Sequence, residues 1–325
     1  MCTAVRFADE NGALFFGRNL DWMESYGEEI LATPRGFAYN YALGATQSAQ
    51  PRAVLGVGCI MGNKPMYFDC ANEAGLAVAG LNFPRCGSFP HEPVEGKCNV
   101  ATFEFPLWVA RNFASTYEVE HALADTQIVS LVQPGQPESL LHWIIAASTR
   151  SIVVESTSTG LHVYENHADV LANSPELPWH IANLDNYLHT SSEDPQPTNW
   201  GAQVLRAWGI GAGMQGIPGD PSSPSRFVRA AYANAHHPAK TTERENIARL
   251  YRTLASVQVT EGTAKSAGGH FEKTIFTSGF SGATNTYYAN TYSDFEIRAF
   301  TFESFDLDGK ELQTRTLYRS EEKKR

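Results

Sequence analysis

The second residue of the chain is a cysteine that follows Met1. Because Cys2 is small, we expect Met1 to be removed, which makes Cys2 the N-terminal residue. Cys2 would then carry a thiol nucleophile and a free α-amine, and such an amine can serve as the base that activates the nucleophile. The reference pKa of an α-amine is about 7.7–8.0, close to neutral pH. One residue could therefore supply two of the groups that an amide hydrolase needs.

Two other interpretations of Cys2 are open at this point. Most cysteines are small buried apolar residues or unreactive surface thiols. A lipoprotein cysteine would need a signal peptide before it, and no such pattern precedes Cys2 in this sequence. The choice between these interpretations depends on the residues that the fold brings next to Cys2.

The first residues follow the pattern of a β-hairpin. Residues 3–7 and 14–20 are strand-like runs, and an Asn-Gly dipeptide at 11–12 lies between them. Asn-Gly is typical of a two-residue hairpin loop because both residues tolerate positive φ. The register that follows from this loop predicts that Cys2 lies opposite Asp21.

The same register brings Asp21 and Arg18 to the end of the sheet at which Cys2 begins. A carboxylate there would hold and orient the amine, and an arginine would favour the thiolate form of the cysteine. The alternative is an ordinary ion pair at a strand end, which contributes little to stability when it is exposed.

Four segments resemble the choloylglycine hydrolases, a family of bile salt hydrolases and penicillin V acylases within the N-terminal nucleophile superfamily. They are residues 1–3 with 16–22, residues 67–83, residues 170–175 and residues 217–227. Their sequences include Met-Cys-Thr, Phe-Gly-Arg-Asn-Leu-Asp-Trp, Leu-Ala-Asn-Ser-Pro and Ser-Pro-Ser-Arg-Phe. The resemblance extends from residue 2 to about residue 318.

Six positions match the residues that this family uses in catalysis, and they are Cys2, Arg18, Asp21, Asn82, Asn173 and Arg226. The resemblance implies that the cysteine is the nucleophile and its amine the general base. It implies that the aspartate and the two arginines position and polarise that centre. It also implies that the asparagine side chain at 82 and the asparagine at 173 face the developing oxyanion.

Each of the last three positions also has a structural interpretation. Asn82 could end a strand, Asn173 could be a turn residue before Ser-Pro, and Arg226 could be a surface charge on a helix that Pro224 opens. The family commonly has threonine before its second asparagine, whereas this chain has Ala172. Because Cys2, Arg18 and Asp21 match the family as well, the catalytic interpretation of all six positions is the better one.

The remaining sequence contains both strand-like and helix-like runs. Strands are predicted at 53–60, 76–81, 141–147, 152–155, 161–164, 274–277, 284–292 and 294–302, and helices at 103–113, 117–124 and 242–257. Ser115 and Thr242 each begin a capping-box pattern. Consecutive strands favour antiparallel sheets. Two such sheets covered by helices would form an α+β fold, a four-layer αββα sandwich, and the resemblance implies this N-terminal nucleophile hydrolase architecture for one domain spanning residues 2–325.

Composition excludes several classes of partner. The formal net charge of −10 and the pI near 5.5 disfavour nucleic acid. No apolar run reaches the length of about 18 residues that spans a membrane, so we expect no membrane partner and a cytoplasmic protein. The five cysteines form no Cys-x-x-Cys pair and the ten histidines show no ligand spacing, so we expect no metal and no cofactor.

Apolar residues near the predicted site could form a substrate cleft. The candidates that could line it are Leu20, Trp22, Met23, Tyr26, Ile60, Met61, Met66 and Phe68. Such a cleft would suit a large rigid apolar group, such as a steroid. A plain apolar core is the alternative interpretation of the same residues.

The resemblance implies a bile salt hydrolase that cleaves glycine- or taurine-conjugated bile acids through a thioester on Cys2. Asn82 favours this branch, because penicillin V acylases often have tyrosine at the matching place. The alternatives are a penicillin V acylase, an acylase on N-acyl homoserine lactones and, in another class, a non-catalytic steroid- or lipid-binding protein. The resemblance also implies a homotetramer.

Overall fold

The computed structural model of the chain describes residues 1–132 and 138–318. Nineteen strands lie within these ranges: β1 (Cys2–Ala8), β2 (Leu14–Trp22), β3 (Glu29–Thr33), β4 (Val54–Met61), β5 (Lys64–Asn72), β6 (Ala77–Asn82), β7 (Cys98–Ala101), β8 (Thr126–Val129), β9 (Leu141–Ala146), β10 (Ser151–Thr157), β11 (Gly160–Glu165), β12 (Val170–Leu171), β13 (Thr198–Trp200), β14 (Gln203–Leu205), β15 (Ala264–Lys265), β16 (Phe271–Ser281), β17 (Thr286–Thr291), β18 (Arg298–Thr301) and β19 (Gln313–Thr316).

The α-helices of the described residues are fewer and shorter than the strands. They are α1 (Phe105–Asn112), α2 (Thr116–Leu123), α3 (Leu177–Leu184), α4 (Ser223–His236) and α5 (Glu243–Ala255). The side chains of Ser115 and Thr242 accept hydrogen bonds from the third residue of α2 and of α5, respectively, which confirms the two predicted caps. No helix in the described ranges is long and apolar enough to cross a membrane.

Most strands belong to two antiparallel sheets. The first sheet has the order β12-β1-β2-β16-β17-β18, and β15 adds to β16. The second sheet has the order β11-β10-β9-β6-β5-β4-β3-β19. β1 therefore lies inside the first sheet, with hydrogen-bonded neighbours on both sides. This places the start of β1, where Cys2 lies, at a rigid position in the fold.

The sheets and helices form four layers. Helices α4 and α5 pack on β1, β2 and β16 of the first sheet, and α1 packs on β5 and β6 of the second sheet. Strands β1 and β2 contact β6 across the interface between the sheets. The structure thus confirms the predicted α+β fold with two antiparallel sheets between helices.

Apolar residues from every layer form the hydrophobic core. One buried cluster joins both sheets to α4 and α5, and it includes Val57, Phe227 and Leu250. A second cluster joins the second sheet to α1, and it includes Trp108 and Trp143. Full burial of a side chain such as that of Val57, Phe227 or Leu250 stabilises the fold by roughly 1.5–3 kcal/mol.

The predicted register of the first hairpin was wrong by one residue. Cys2 pairs with Leu20 rather than with Asp21, and Ala8 pairs with Leu14. Asp21 instead pairs with Met1, because its N–H donates to the carbonyl oxygen of Met1 over 2.9 Å. Side chains alternate between the faces of a strand, so this shift places Asp21 on the face opposite to that of the Cys2–Leu20 pair.

Asp9 is the cause of this shift. Its N–H bonds to the carbonyl oxygen of Ala13, which leaves three residues in the loop instead of two. Its carboxylate accepts the N–H groups of Asn11 and Ala13 at 2.9 and 2.8 Å. Gly12 takes the last loop position with φ of +82°. A three-residue hairpin with glycine in the left-handed region is the common alternative to the Asn-Gly loop.

Candidate active site

Cys2 is held at its main chain by two distant residues. It begins β1 and is 6% exposed. Its nitrogen donates to Oδ1 of Asn173 over 2.7 Å. Its carbonyl oxygen accepts from Nη1 of Arg226. Three segments that are far apart in the sequence therefore meet at the predicted nucleophile.

Met1 extends the hairpin and covers the amine position. Its ammonium group donates to Oε2 of Glu272 over 2.6 Å and to the carbonyl oxygen of Asp21 over 2.7 Å. With Met1 in place, the nitrogen of Cys2 is an amide and has no basic lone pair. The catalytic interpretation therefore requires that Met1 is removed.

Asp21 is a buried acid beside this centre. Its Oδ1 accepts from the hydroxyl of Thr274 over 2.6 Å, and its Oδ2 lies 3.9 Å from Nη1 of Arg226. Burial raises the pKa of the Asp21 carboxyl, and the Arg226 guanidinium opposes that rise. The side chain is thus fixed on one oxygen and faces a positive charge with the other.

Arg226 connects α4 to the catalytic end of β1. Its side chain is fully buried. Nη2 donates to Oδ1 of Asn173 over 2.6 Å, Nε donates to the carbonyl oxygen of Pro221 over 2.9 Å, and Nη1 also donates to the hydroxyl of Thr3. Burial lowers the pKa of Arg226, and the charge of Asp21 opposes that change. Arg226 is therefore not a surface charge on its helix, which was the alternative interpretation.

Asn173 lies just after β12 and bridges three partners. Because both Cys2 and Arg226 approach as donors, its Oδ1 must face them. Its Nδ2 donates to the main-chain carbonyl oxygen of Asn82 over 2.7 Å. In this arrangement Oδ1 holds the nitrogen of Cys2, and one of the two amide N–H donors is bound to Asn82. Its predicted contact with the oxyanion stays a prediction.

Arg18 on β2 has an acidic partner, Asp69, that was not predicted from the sequence. Its Nη1 lies 3.5 Å from Oδ1 of Asp69 on β5, and both side chains are 1% exposed. The carboxylate of Asp69 also accepts from the hydroxyls of Ser278, over 2.7 Å, and of Tyr287. Burial raises the pKa of Asp69 to about 6, against the opposing charge of Arg18. The sequence signal that could have indicated this partner is a single aspartate within a run that forms a buried strand.

A cavity of about 220 Å³ opens beside these groups. Cys2, Arg18, Asp21 and Asn82 border it. Asn173 and Arg226 do not border it and reach Cys2 from behind the cavity wall. Two larger surface cavities, of about 710 and 500 Å³, contain none of the six predicted catalytic residues. The smaller cavity is therefore the candidate active site.

Six of the eight predicted substrate-binding residues line this cavity, and they are Leu20, Trp22, Tyr26, Met61, Met66 and Phe68. The rings of Tyr26 and Phe68 lie 5.3 Å apart. Met23 and Ile60 are outside the cavity. Ile60 is 42% exposed because strand neighbours face opposite sides, and Cys59 and Met61 face the cavity.

Other residues of the cavity wall were not predicted from the sequence, and they are Cys59, Gly80, Phe103, Leu131, Glu138, Ser139 and Leu141. Burial raises the pKa of the Cys59 thiol to about 11, so this second cavity thiol stays protonated near neutral pH. Among the described residues, no group of three or more histidines, cysteines and acids could hold a metal ion. The absence of a metal and of a cofactor stays a prediction.

Residues 2–315 match the family model of the linear amide C–N hydrolases, choloylglycine hydrolase family. The chain therefore belongs to that family, as the sequence motifs indicated. It is 58% identical to a bile salt hydrolase/transferase of Bifidobacterium longum over 96% of this chain and 98% of that protein. It is 38% identical to a conjugated bile acid hydrolase of Lactobacillus gasseri over 97% of this chain and 100% of that protein.

Solved structures show the same fold. A variant of conjugated bile acid hydrolase from Clostridium perfringens superposes with a TM-score of 0.89 at 34% identity, covering 98% of this chain and 97% of that one. Penicillin V acylase from Agrobacterium tumefaciens gives a TM-score of 0.77 at 19% identity, covering 96% and 90%. At this identity, the likeness to penicillin V acylase shows only that the two proteins share a fold.

Proposed function

We propose that the protein is a bile salt hydrolase that cleaves the amide bond of glycine- or taurine-conjugated bile acids through a thioester on Cys2. The observation that carries this proposal is the cavity in which Cys2, Arg18 and Asn82 meet an apolar wall. The names of the relatives with 58% and 38% identity support the choice of substrate class.

In the proposed reaction, removal of Met1 frees the amine of Cys2. The amine takes the thiol proton, and the thiolate attacks the substrate carbonyl carbon. The C–N bond then breaks, the ammonium returns its proton to the leaving nitrogen, and glycine or taurine departs. Water, deprotonated by the same amine, cleaves the thioester and releases the bile acid. Each proton taken from a nucleophile is returned to a leaving group.

The surrounding residues divide the work in this proposal. Asn82 donates its side-chain N–H to the oxyanion, and one such donor is worth about 10²–10³ in rate. Asn173 orients the amine through its Oδ1, which is 2.7 Å from the nitrogen of Cys2. Arg18, at the cavity wall, and Arg226, bound to the carbonyl oxygen of Cys2, place two positive charges beside the nucleophile. Asp21 balances the charge of Arg226 and accepts a hydrogen bond from the hydroxyl of Thr274.

The apolar wall would bind the steroid. A net charge of −10 gives no long-range attraction for an anionic substrate, so affinity must come from apolar burial, at about 25 cal/mol per Å². The cavity of about 220 Å³ is smaller than the roughly 300–1,000 Å³ that encloses drug-sized ligands. We therefore place the far end of the steroid at the cavity mouth, where Tyr26 is 47% exposed.

Amine release from three substrates tests this function. We expect fast release of glycine or taurine from glycocholate and taurocholate, measured with ninhydrin, and little release from penicillin V. The reverse pattern would assign the protein to the acylase alternative. Binding of bile salts without release, by a chain whose Met1 is retained in its mass spectrum, would favour the non-catalytic binding protein.

We also propose that the chain forms a homotetramer in the cytoplasm. Residues 188–217, which include β13 and β14, carry large apolar side chains in solvent. Trp208 and Ile210 are fully exposed, and Leu188 and Trp200 are 86% and 76% exposed. Trp208 and Ile210 border one surface cavity, and an exposed apolar patch is typical of an interface, with further copies of this chain as the proposed occupants. The five cysteines are free thiols, which fits a reducing compartment.

A further inference from the structure

Two buried histidines hold the main chain at Asn173. Nε2 of His142 lies 2.9 Å from the carbonyl oxygen of Ala172, and Nε2 of His180 lies 2.9 Å from the carbonyl oxygen of Asn173. Neither side chain has measurable exposure. A carbonyl oxygen can only accept a hydrogen bond, so each histidine must carry a proton on Nε2. Two successive carbonyls are therefore held by ring N–H donors.

Glu155 fixes the proton arrangement of His142. The two residues lie on neighbouring strands, and Oε1 of Glu155 is 3.0 Å from Nδ1 of His142. The carboxylate also accepts the N–H of Leu177, the first residue of α3, at 3.2 Å. One proton lies between Nδ1 and Oε1 whichever atom carries it. In either case the proton on Nε2 remains available to Ala172.

His180 also carries its ring proton on Nε2, but for a different reason. Burial lowers the pKa of His180 to about 4, so the ring is neutral near pH 7. Its Nδ1 is buried and has no hydrogen-bond partner among the described residues. The single ring proton therefore lies on Nε2, facing Asn173. The ring of Phe227, one residue beyond Arg226, stacks on it at 4.5 Å and holds its plane.

These contacts leave Asn173 little freedom. Its N–H donates to the hydroxyl of Ser223 over 2.8 Å, and its carbonyl is held by His180. With both main-chain groups bound, the Cα of Asn173 is fixed, and the hydrogen bonds of the side chain to Arg226 and to Asn82 then direct Oδ1 to the nitrogen of Cys2. Displacement of a catalytic group by 1 Å can lower a rate by about 100-fold.

We propose that His142, held by Glu155, and His180 are positioning residues that fix Asn173 so that its Oδ1 orients the amine of Cys2. This inference rests on the proposed function, because it takes that amine to be the catalytic base. Neither histidine borders the cavity, so both act through Asn173 and without contact to the substrate.

His142→Phe and His142→Gln form the test. Phenylalanine keeps a flat ring against Phe83, whose ring stacks on His142 at 4.2 Å, and removes the donor. Glutamine restores an N–H near the position of Nε2. We expect the phenylalanine variant to lower kcat for glycocholate by about tenfold or more, with KM changed less than about threefold. Glutamine should recover most of this loss.

Alkylation of Cys2 by iodoacetamide supplies a second readout that needs no substrate. We expect His142→Phe to displace the pH dependence of alkylation, because the amine next to the thiol is no longer held. His162→Phe is the matched control, since Nε2 of His162 lies 2.8 Å from the hydroxyl of Thr159, an exposed residue. The control should leave both kcat and the alkylation profile unchanged.

A folded His142→Phe enzyme with wild-type kcat and an unchanged alkylation profile would overturn the proposal, even if its thermal stability fell. If this variant does not fold, His180→Phe is subjected to the same two measurements and the same criteria. An altered alkylation profile without bile salt cleavage by the wild type would reject the substrate class and keep the positioning role. Retention of Met1 in an active wild-type enzyme would overturn both the proposed mechanism and the positioning role.

Discussion

Cys2 is the residue on which the proposed chemistry depends. We expect Cys2→Ala to lower amine release by at least about 10³-fold, because the other thiol at the cavity, that of Cys59, has a pKa raised to about 11 and stays protonated. The free energy of unfolding should change by less than about 1 kcal/mol, since the side chain is small. Cys59→Ala is the matched control, because the Cys59 thiol borders the same cavity with a raised pKa. Activity retained in Cys2→Ala would reject the mechanism.

Asp69 should give the protein a pH-dependent stability. The pKa of its carboxyl rises from 3.8 to about 6 on folding because the group is buried. Between these values the folded chain holds a proton that the unfolded chain releases, so the free energy of unfolding falls as pH rises through this window. The difference across the window is about 3 kcal/mol.

Urea unfolding at pH 4 to 7 checks this dependence against Asp69→Asn, which does not titrate. We expect the wild-type curve to fall more steeply with pH than the variant curve. The variant should also lose activity above pH 6, where the ionised carboxylate otherwise pairs with Arg18. Parallel stability curves for the two proteins would contradict the raised pKa.

The sequence predicted the six catalytic candidates through motifs, and the structure places four at the cavity and two behind Cys2. Asp69, His142 and His180 were not predicted. Each acts through a contact with a residue from a distant part of the chain, and one sequence shows residue types but not such pairs. The direction of the Asn173 amide was likewise set by its two donors, Cys2 and Arg226.

The first hairpin shows how a short element determines the geometry of the site. The Asn-Gly signal predicted a hairpin correctly and its register incorrectly, because the carboxylate of Asp9 selects a longer loop. A shift of one residue reverses the face of every side chain. The contact between Asp21 and Arg226 therefore depends on a loop at the other end of the strands.

Gly12 is the position at which this loop can be tested. Its φ is +82° and an added Cβ would meet no atom within 4 Å, so Gly12→Ala adds backbone strain without a clash. We expect a loss of about 1–2 kcal/mol in the free energy of unfolding by urea. Gly219→Ala is the control, since that glycine has equal space and no positive φ. Equal stability of both variants would contradict the three-residue loop.

At the scale of the whole molecule, the layers were predictable and the strand order was not. Many consecutive strand-like runs indicated antiparallel sheets. However, β2 pairs with β16, which begins about 250 residues later, and β12 pairs with β1. Such pairings are selected by packing of the complete core, so no local pattern reveals them.

Assembly is the second property of the whole molecule that can be tested. We expect the wild type to have the mass of a tetramer in light scattering, and Trp208→Ser to give a smaller species with unchanged circular dichroism. Phe295→Ser is the control, because Phe295 is 83% exposed outside residues 188–217. A monomeric wild type, or a tetrameric Trp208→Ser variant, would contradict the proposed interface.

The most direct test of the central claim is the mass of the acyl-enzyme. The enzyme would be mixed with glycocholate, quenched in acid within one turnover, digested and measured by mass spectrometry. We expect the N-terminal peptide to lack Met1 and to carry one cholyl group on Cys2 as a thioester that hydroxylamine removes. An active enzyme that retains Met1, or a cholyl group on any other residue, would contradict the mechanism.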